Sequence, residues 1–278
     1  MITDTHVHLV YRDQLAYDWI EPGSYLDADV SVEQYEQVAR QVGITKALHM
    51  EVDVAEADME KETTLIESLI ARDDTILCGA IAACRPEHKD FDAYLERQSS
   101  RSAVKGFRRV LHVMPDEHSQ QPIFRDGIKQ LAQTSWVFDL CALPRQLPVV
   151  TELVDLVPNL QFVMDHCGVP DIKAGEFSRW AAAVAQLALR DNVVAKLSGI
   201  IAYGDGTRWR VDTLKPYVHH VIECFGTDRV VWGSDSPVCL AGGSISDWVA
   251  ATHALLSDLN DAERHAILSA NAARVWRL

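Results

Sequence analysis

No run of apolar residues in this chain approaches the roughly 18 that a membrane helix needs. Basic residues are also scarce. Lysine and arginine number 26 against 40 aspartates and glutamates, a formal net charge of −14. Surfaces that bind nucleic acid or anionic lipid need basic patches, so neither is the expected partner. A small-molecule substrate is, since an acidic balance still allows a locally positive pocket; the oligomeric state stays open. The six cysteines (Cys78, Cys84, Cys141, Cys167, Cys224 and Cys239) include no CxxC pair. They read as buried free thiols, not as a disulfide framework or zinc knuckle. There is no GxSxG elbow, no P-loop and no GxGxxG, which removes three common catalytic and nucleotide-binding frames. A basic-then-apolar leader is missing too. Met1 and Ile2 run straight into Asp4, His6 and His8, which predicts a cytoplasmic protein.

What is present is a rhythm. Hydrophobic residues make up 48% of 278 positions, enough for a large core. Eight short β-rich runs recur at the spacing of a βα unit: MITDTHVH from Met1, ITKALHM from Ile44, ILCGAIA from Ile76 and VKGFRRVL from Val104; then WVFDLCA from Trp136, LQFVMDH from Leu160, VVAKLSG from Val193 and RVVWGSD from Arg229. Helical patterns lie between them. One begins at Ser31, a predicted N-cap with Gln34 three residues on, and ends near Gly43. Others run from Asp58, Phe124, Pro148, Arg179, Thr213 and Ser246, with a last helix from Asp261 to Ala273. No linker or low-complexity tract interrupts them. The prediction is an α/β chain folded as one (β/α)₈ TIM barrel over residues 1–278. The stretch from Tyr11 to Asp29, holding Tyr17, Trp19 and Tyr25, is expected to cover the barrel mouth.

In such a barrel the reactive groups belong at the C-terminal ends of the strands. The first strand ends in His6-Val7-His8, and alternation puts both imidazoles on one face with Asp4 behind them. Such a pair can chelate a divalent ion or polarise an oxygen. Elsewhere an HxH is usually two unrelated histidines. The sixth strand ends in Asp165-His166-Cys167, with His166 in phase with Phe162 and Met164 and Asp165 facing away. The eighth ends in Ser234-Asp235-Ser236-Pro237, where Asp235 is placed to activate water. Alone, that aspartate would read as a turn residue; opposite three histidines it does not. On the fourth strand one of Arg108 and Arg109 must point inward, and on the seventh Lys196 needs either a substrate or a carboxylate partner. Glu51 and Asp139 are weaker candidates. Cys167, next to His166 on a strand, faces the other way and is a poor nucleophile.

Taken together, DTHVH, VKGFRR, FVMDHCGVP, NVVAKLSG, FGTDRVVWGSDSPV and NAARVWRL resemble the amidohydrolase superfamily. The likeness is closest to its lactonase branch, which includes L-fuconolactonase, L-rhamnonolactonase and 2-pyrone-4,6-dicarboxylate lactonase. It runs over essentially the whole chain. It implies hydrolysis of a cyclic ester, with His6 and His8 as the first-strand HxH, His166 as the sixth-strand histidine, Asp235 as the eighth-strand aspartate and Arg108 as the fourth-strand arginine. In that reading Asp235 takes the proton of the attacking water, His166 orients that water or Asp235, and His6 and His8, directly or through a divalent ion, polarise the carbonyl. The cofactor implied is one divalent ion on His6, His8 and Asp235, zinc by preference, or no metal at all. Two departures stand out. The fifth strand has no histidine, which argues against two metals, and Ser236 stands where the branch commonly has tryptophan. Arg108, Lys196, Tyr17, Trp19 and Trp209 are the expected substrate-binding residues. With only one inward arginine expected, a neutral aldonolactone such as L-fucono- or L-rhamnono-lactone is favoured over a dicarboxylate. Amide hydrolysis and metal-dependent decarboxylation of an aromatic acid are the competing reactions on the same barrel. A non-catalytic sugar-acid binder would have no use for Asp235 beside three histidines.

Overall fold

Short β-branched runs, flanked by glycines and turn residues, form eight parallel strands in the computed structural model, which describes residues 1–278. They are β1 (Ile2–Val7), β2 (Ile44–Met50), β3 (Leu77–Ala83), β4 (Val104–Val110), β5 (Val137–Cys141), β6 (Phe162–Met164), β7 (Val193–Ser198) and β8 (Val230–Gly233). The strands pair in chain order from β1 to β8. Just beyond the strand ends, the His8 amide donates to the Ser236 carbonyl and the Asp235 amide to the His6 carbonyl, each at 2.8 Å, drawing β8 back to β1. The expected TIM barrel is the observed fold.

Helices fill the intervals: α1 (Val32–Gln41), α2 (Met59–Ile70), α3 (Phe91–Gln98), α4 (Pro122–Leu131), α5 (Leu147–Leu156), α6 (Ser178–Ala188), α7 (Val211–Phe225) and α8 (Ile245–Leu255). The chain ends in α9 (Asp261–His265), a π turn (Ala266–Ala270) and α10 (Asn271–Trp276). Ser31 caps α1 as expected, its hydroxyl accepting the Gln34 amide while the Gln34 side chain returns to the Ser31 amide. The sequence pattern gives no sign of α3. Its 8 residues are too few to write a clear apolar stripe, although Phe91, Tyr94 and Leu95 are buried.

The inner face of the barrel is a packed layer. Leu48, Met50, Ile81, Val163, Val194 and Val231 form one apolar cluster, joined by Ala272, Val275 and Trp276. This corrects the phase expected for the sixth strand. Val163, register partner of Val194, faces inward, while Phe162 and Met164 join the larger core outside, among helix residues. Asp165 therefore inherits the inward phase. His166 reaches the same mouth only because the chain turns there, with φ of +53° at His166 and +55° at Cys167.

Candidate active site

The floor of the barrel mouth is built where β1, β4, β6, β7 and β8 end. His6 Nε2 and His8 Nε2 are 3.2 Å apart. Asp235 Oδ1 lies 3.6 Å from the first and 3.5 Å from the second, and Asp235 Oδ2 is 3.5 Å from His166 Nδ1. The four residues expected to converge thus do so. All are buried, and Asp235 Oδ2 has no hydrogen-bond partner. Backbone strain concentrates here as well, since Asp235 sits at φ +58°. Close approach requires glycine at two neighbours. A Cβ on Gly199 (φ +55°) would collide with the Asp235 carboxylate, and one on Gly233 would come within 2.7 Å of the His6 Cβ.

Each group is held from behind. Asp4 Oδ1 accepts the amides of His6 (3.0 Å) and Ser234 (2.8 Å), tying β1 to the end of β8. His8 Nδ1 donates to the Met50 carbonyl at 3.0 Å, so in a neutral ring its Nε2 is bare. Ser198 Oγ accepts the His166 amide (3.2 Å) and pairs with His166 Nδ1 at 2.9 Å. Ser198 shares the phase of Lys196 along β7, a parity signal that would have found it from sequence.

Beneath His6 lies a buried ionic layer. Lys196 Nζ is 2.5 Å from Asp139 Oδ1, 2.9 Å from Asp165 Oδ1 and 3.3 Å from His6 Nδ1. Lys196 is completely buried and does not line the cavity, so its expected place among the substrate contacts is corrected: it is a structural counter-charge. Asp165, expected to face away, instead stands 3.5 Å from His6 Nδ1. Arg108 does reach the cavity. Glu51 holds its Nε at 2.5 Å, the Glu51 carbonyl takes Nη2 at 2.7 Å, and Nη1 is left 3.4 Å from His6 Nε2. Arg109 goes the other way, to Glu87 at 2.9 Å.

Burial dominates the protonation states. It lowers the His8 imidazole to about 3, with Arg108 and His49 adding to the effect. Burial likewise pushes His6 well below its ordinary value, helped by Lys196, and lowers His166 despite the neighbouring Asp235. All three rings are neutral at pH 7. The Asp235 carboxyl is raised to about 6 by burial, partly offset by His166 and Arg108. Asp165 is the opposite case: burial opposes its charge, yet Lys196 and His6 hold it well below the usual range.

The donor set fits one divalent ion. His6, His8 and Asp235 offer two neutral imidazole nitrogens and a carboxylate oxygen converging on one gap. Five buried carboxylates (Asp4, Glu51, Asp139, Asp165 and Asp235) surround that floor against two buried cations, Arg108 and Lys196, though burial raises Asp139 to about 7. A positive ion would offset the excess. A second trio, His6, Asp165 and His166, also converges, but the Lys196 ammonium already lies between Asp165 and His6. The geometry therefore favours one ion over two.

Above the floor opens a cavity of about 530 Å³, bordered by His8, Arg108, His166 and Asp235. The β1–α1 connection covers it as expected, contributing Trp19, Ile20 and Leu26. Two expected contacts fall elsewhere. The Tyr17 hydroxyl accepts the Tyr11 amide at 3.0 Å, and Trp209 Nε1 donates to the Gly242 carbonyl at 2.7 Å; neither borders the cavity. Both are half-buried packing residues that tie loops together. Tyr203, which the sequence reading passed over, does border it, with its ring centroid 6.0 Å from that of His166. It lies on the loop after β7, where no alternation pattern marks direction.

The family model for amidohydrolases matches residues 3–278. The chain belongs to the amidohydrolase family. It is 32% identical over 145 residues to an L-fucono-1,5-lactonase of Burkholderia ambifaria, covering 52% of this chain and 50% of that protein. A second L-fucono-1,5-lactonase, from Burkholderia multivorans, is 31% identical over 190 residues, 63% of each chain. These alignments thus span half to under two thirds of the lactonases. Among solved structures, a zinc-bound amidohydrolase of Burkholderia multivorans superposes with a TM-score of 0.89 at 25% identity, covering 100% of this chain and 99% of that one. Curated relatives are named as hydrolases of lactones, and the protein is a hydrolytic enzyme. Membership also agrees with a mouth whose polar groups are arranged around one carboxylate.

Proposed function

We propose that this amidohydrolase opens the ester ring of a lactone to the hydroxy acid, with Asp235 as general base. The observation that carries the reading is Asp235 itself. It is a buried carboxylate with one unpartnered oxygen, within 3.6 Å of three neutral histidines, at the base of the cavity. The names of the relatives supply the substrate class. They favour a sugar-derived ring such as L-fucono-1,5-lactone, the aldonolactone expected from the sequence.

The steps follow from the groups present. A water between Asp235 and His166 gives its proton to Asp235 as its oxygen attacks the carbonyl carbon. His166, fixed by Ser198, orients that water. The negative charge that develops on the carbonyl oxygen faces Arg108 Nη1, a donor already locked by Glu51. Preorganised donors of this kind are each worth about 3 kcal/mol in a transition state. When the tetrahedral intermediate collapses, the ring C–O bond breaks and Asp235 returns its proton to the leaving alkoxide. The product acid then ionises and releases one proton to the medium. A single divalent ion on His6, His8 and Asp235, with zinc the first choice, would supply Lewis-acid polarisation of the carbonyl oxygen.

A pH-indicator assay over a panel of aldonolactones and plain and alkyl-substituted δ-lactones, with and without chelator, tests the proposal. Acidification by the wild-type protein, reduced at least about a thousandfold in kcat by Asp235→Asn, is expected. No ring opening across the panel, or carbon dioxide release from an aromatic acid, would overturn it.

A further inference from the structure

The floor of the cavity is polar, and the wall is not. Twelve of the 19 lining residues are hydrophobic, with Cys141 and Tyr203 counted among them. They come from separate segments: Trp19, Ile20 and Leu26 from the connection after β1, Val110 and Val113 at the end of β4, and Leu143 after β5. Part of the wall's polar capacity is committed. Trp19 donates its indole N–H to the Val52 carbonyl at 2.8 Å, so it shows the cavity only a ring. Asp53 Oδ1 is paired with Arg85 at 3.2 Å, and His112 Nδ1 with Cys141 Sγ at 3.1 Å, which leaves one oxygen of Asp53 and one nitrogen of His112 open. Beyond the catalytic floor, Tyr203 is the one hydroxyl in the lining. At the rim, Trp19 and Val113 are 42% and 65% exposed, an apolar lip that water covers when no ligand does.

A polyhydroxylated ring entering this space would strip water from several hydroxyls and find few partners for them, a net cost. An apolar arm would gain on the same surfaces. We infer that the lactone this site takes carries an apolar substituent of several carbons, directed along the wall from Val110 to Leu26 and Trp19. The inference rests on the lactonase reading of the floor and departs from the aldonolactone only in what the ring bears. The volume of about 530 Å³ holds a ring and such an arm together.

The test compares δ-valerolactone, which has no arm, δ-decalactone, which carries a pentyl arm, and L-fucono-1,5-lactone, which carries hydroxyls. Burial is worth roughly fourfold in affinity per methylene, and a partly buried pentyl arm roughly thirtyfold or more. The expected result is kcat/KM at least about thirtyfold higher for δ-decalactone than for δ-valerolactone, with L-fucono-1,5-lactone below both. Leu26→Ser and Ile20→Ser, both at half-buried loop positions, should each shrink that ratio by roughly threefold or more. Preference for L-fucono-1,5-lactone, or equal rates with and without the pentyl arm, would overturn the inference and leave the lactonase reading standing. If no ring opens, the lactonase reading falls. The wall is then judged by calorimetry of the open acids: binding of 5-hydroxydecanoate at least about tenfold tighter than 5-hydroxyvalerate upholds the apolar site, and equal binding ends it.

Discussion

Floor and wall of the same cavity are built on opposite principles. The floor is charged, buried and cross-braced, with every reactive group on or next to a strand end. The wall is aliphatic and comes mostly from loops, with side chains that present surface and little else. The floor fixes what can be done to a substrate; the wall decides which substrate gains by entering. Errors in placement are costly below and cheap above, because charges must be satisfied in a low-dielectric setting while methyl groups need only fit.

Variants can break this contrast. The largest effect is expected from Lys196→Met, which removes the counter-charge from Asp139 and Asp165 while both stay buried. Unfolding free energy measured in urea should fall by about 3–5 kcal/mol. A fall under about 1 kcal/mol would make the ionic layer dispensable. Next comes Gly199→Ala, whose methyl group must displace the Asp235 carboxylate. It should lower kcat by roughly a hundredfold, while a change confined to KM would place the fault in the wall.

Acid should act on the floor in a defined direction. Asp235 works as a base only when ionised, and burial raises its carboxyl to about 6. In metal-free protein kcat/KM should therefore climb with pH through a limb near 6, where an exposed aspartate would give one near about 4. The smallest effects belong to residues the cavity leaves out. Tyr17→Phe and Trp209→Phe should change kcat/KM by no more than roughly threefold, since both spend their polar atoms on loop backbone. A larger loss on either would bring that residue back to the substrate.

The same contrast explains what the sequence made legible. Strand order and the floor's His6, His8 and Asp235 follow from alternation and from the rule that strand ends carry chemistry. His166 was also anticipated, but for the wrong reason. The inner phase of β6 belongs to Val163 and Asp165, and a left-handed turn that no periodicity encodes swings His166 into place. Lys196 shows a second limit. A lysine on a barrel strand declares that it needs a partner, and only the three-dimensional register tells whether that partner is a substrate or, as here, Asp139 and Asp165. Loop residues were least legible. Tyr17, Trp19 and Trp209 look alike in sequence, and Trp19 alone borders the cavity.

The division between floor and wall is tested most directly by running Asp235→Asn and Leu26→Ser side by side on δ-valerolactone and δ-decalactone. The account predicts that Asp235→Asn lowers kcat for both by a similar factor, on the order of a thousand, and leaves their ratio within roughly twofold, whereas Leu26→Ser changes chiefly the ratio. An Asp235→Asn enzyme that keeps more than about a tenth of its rate, or whose substrate preference shifts as much as that of Leu26→Ser, would contradict it.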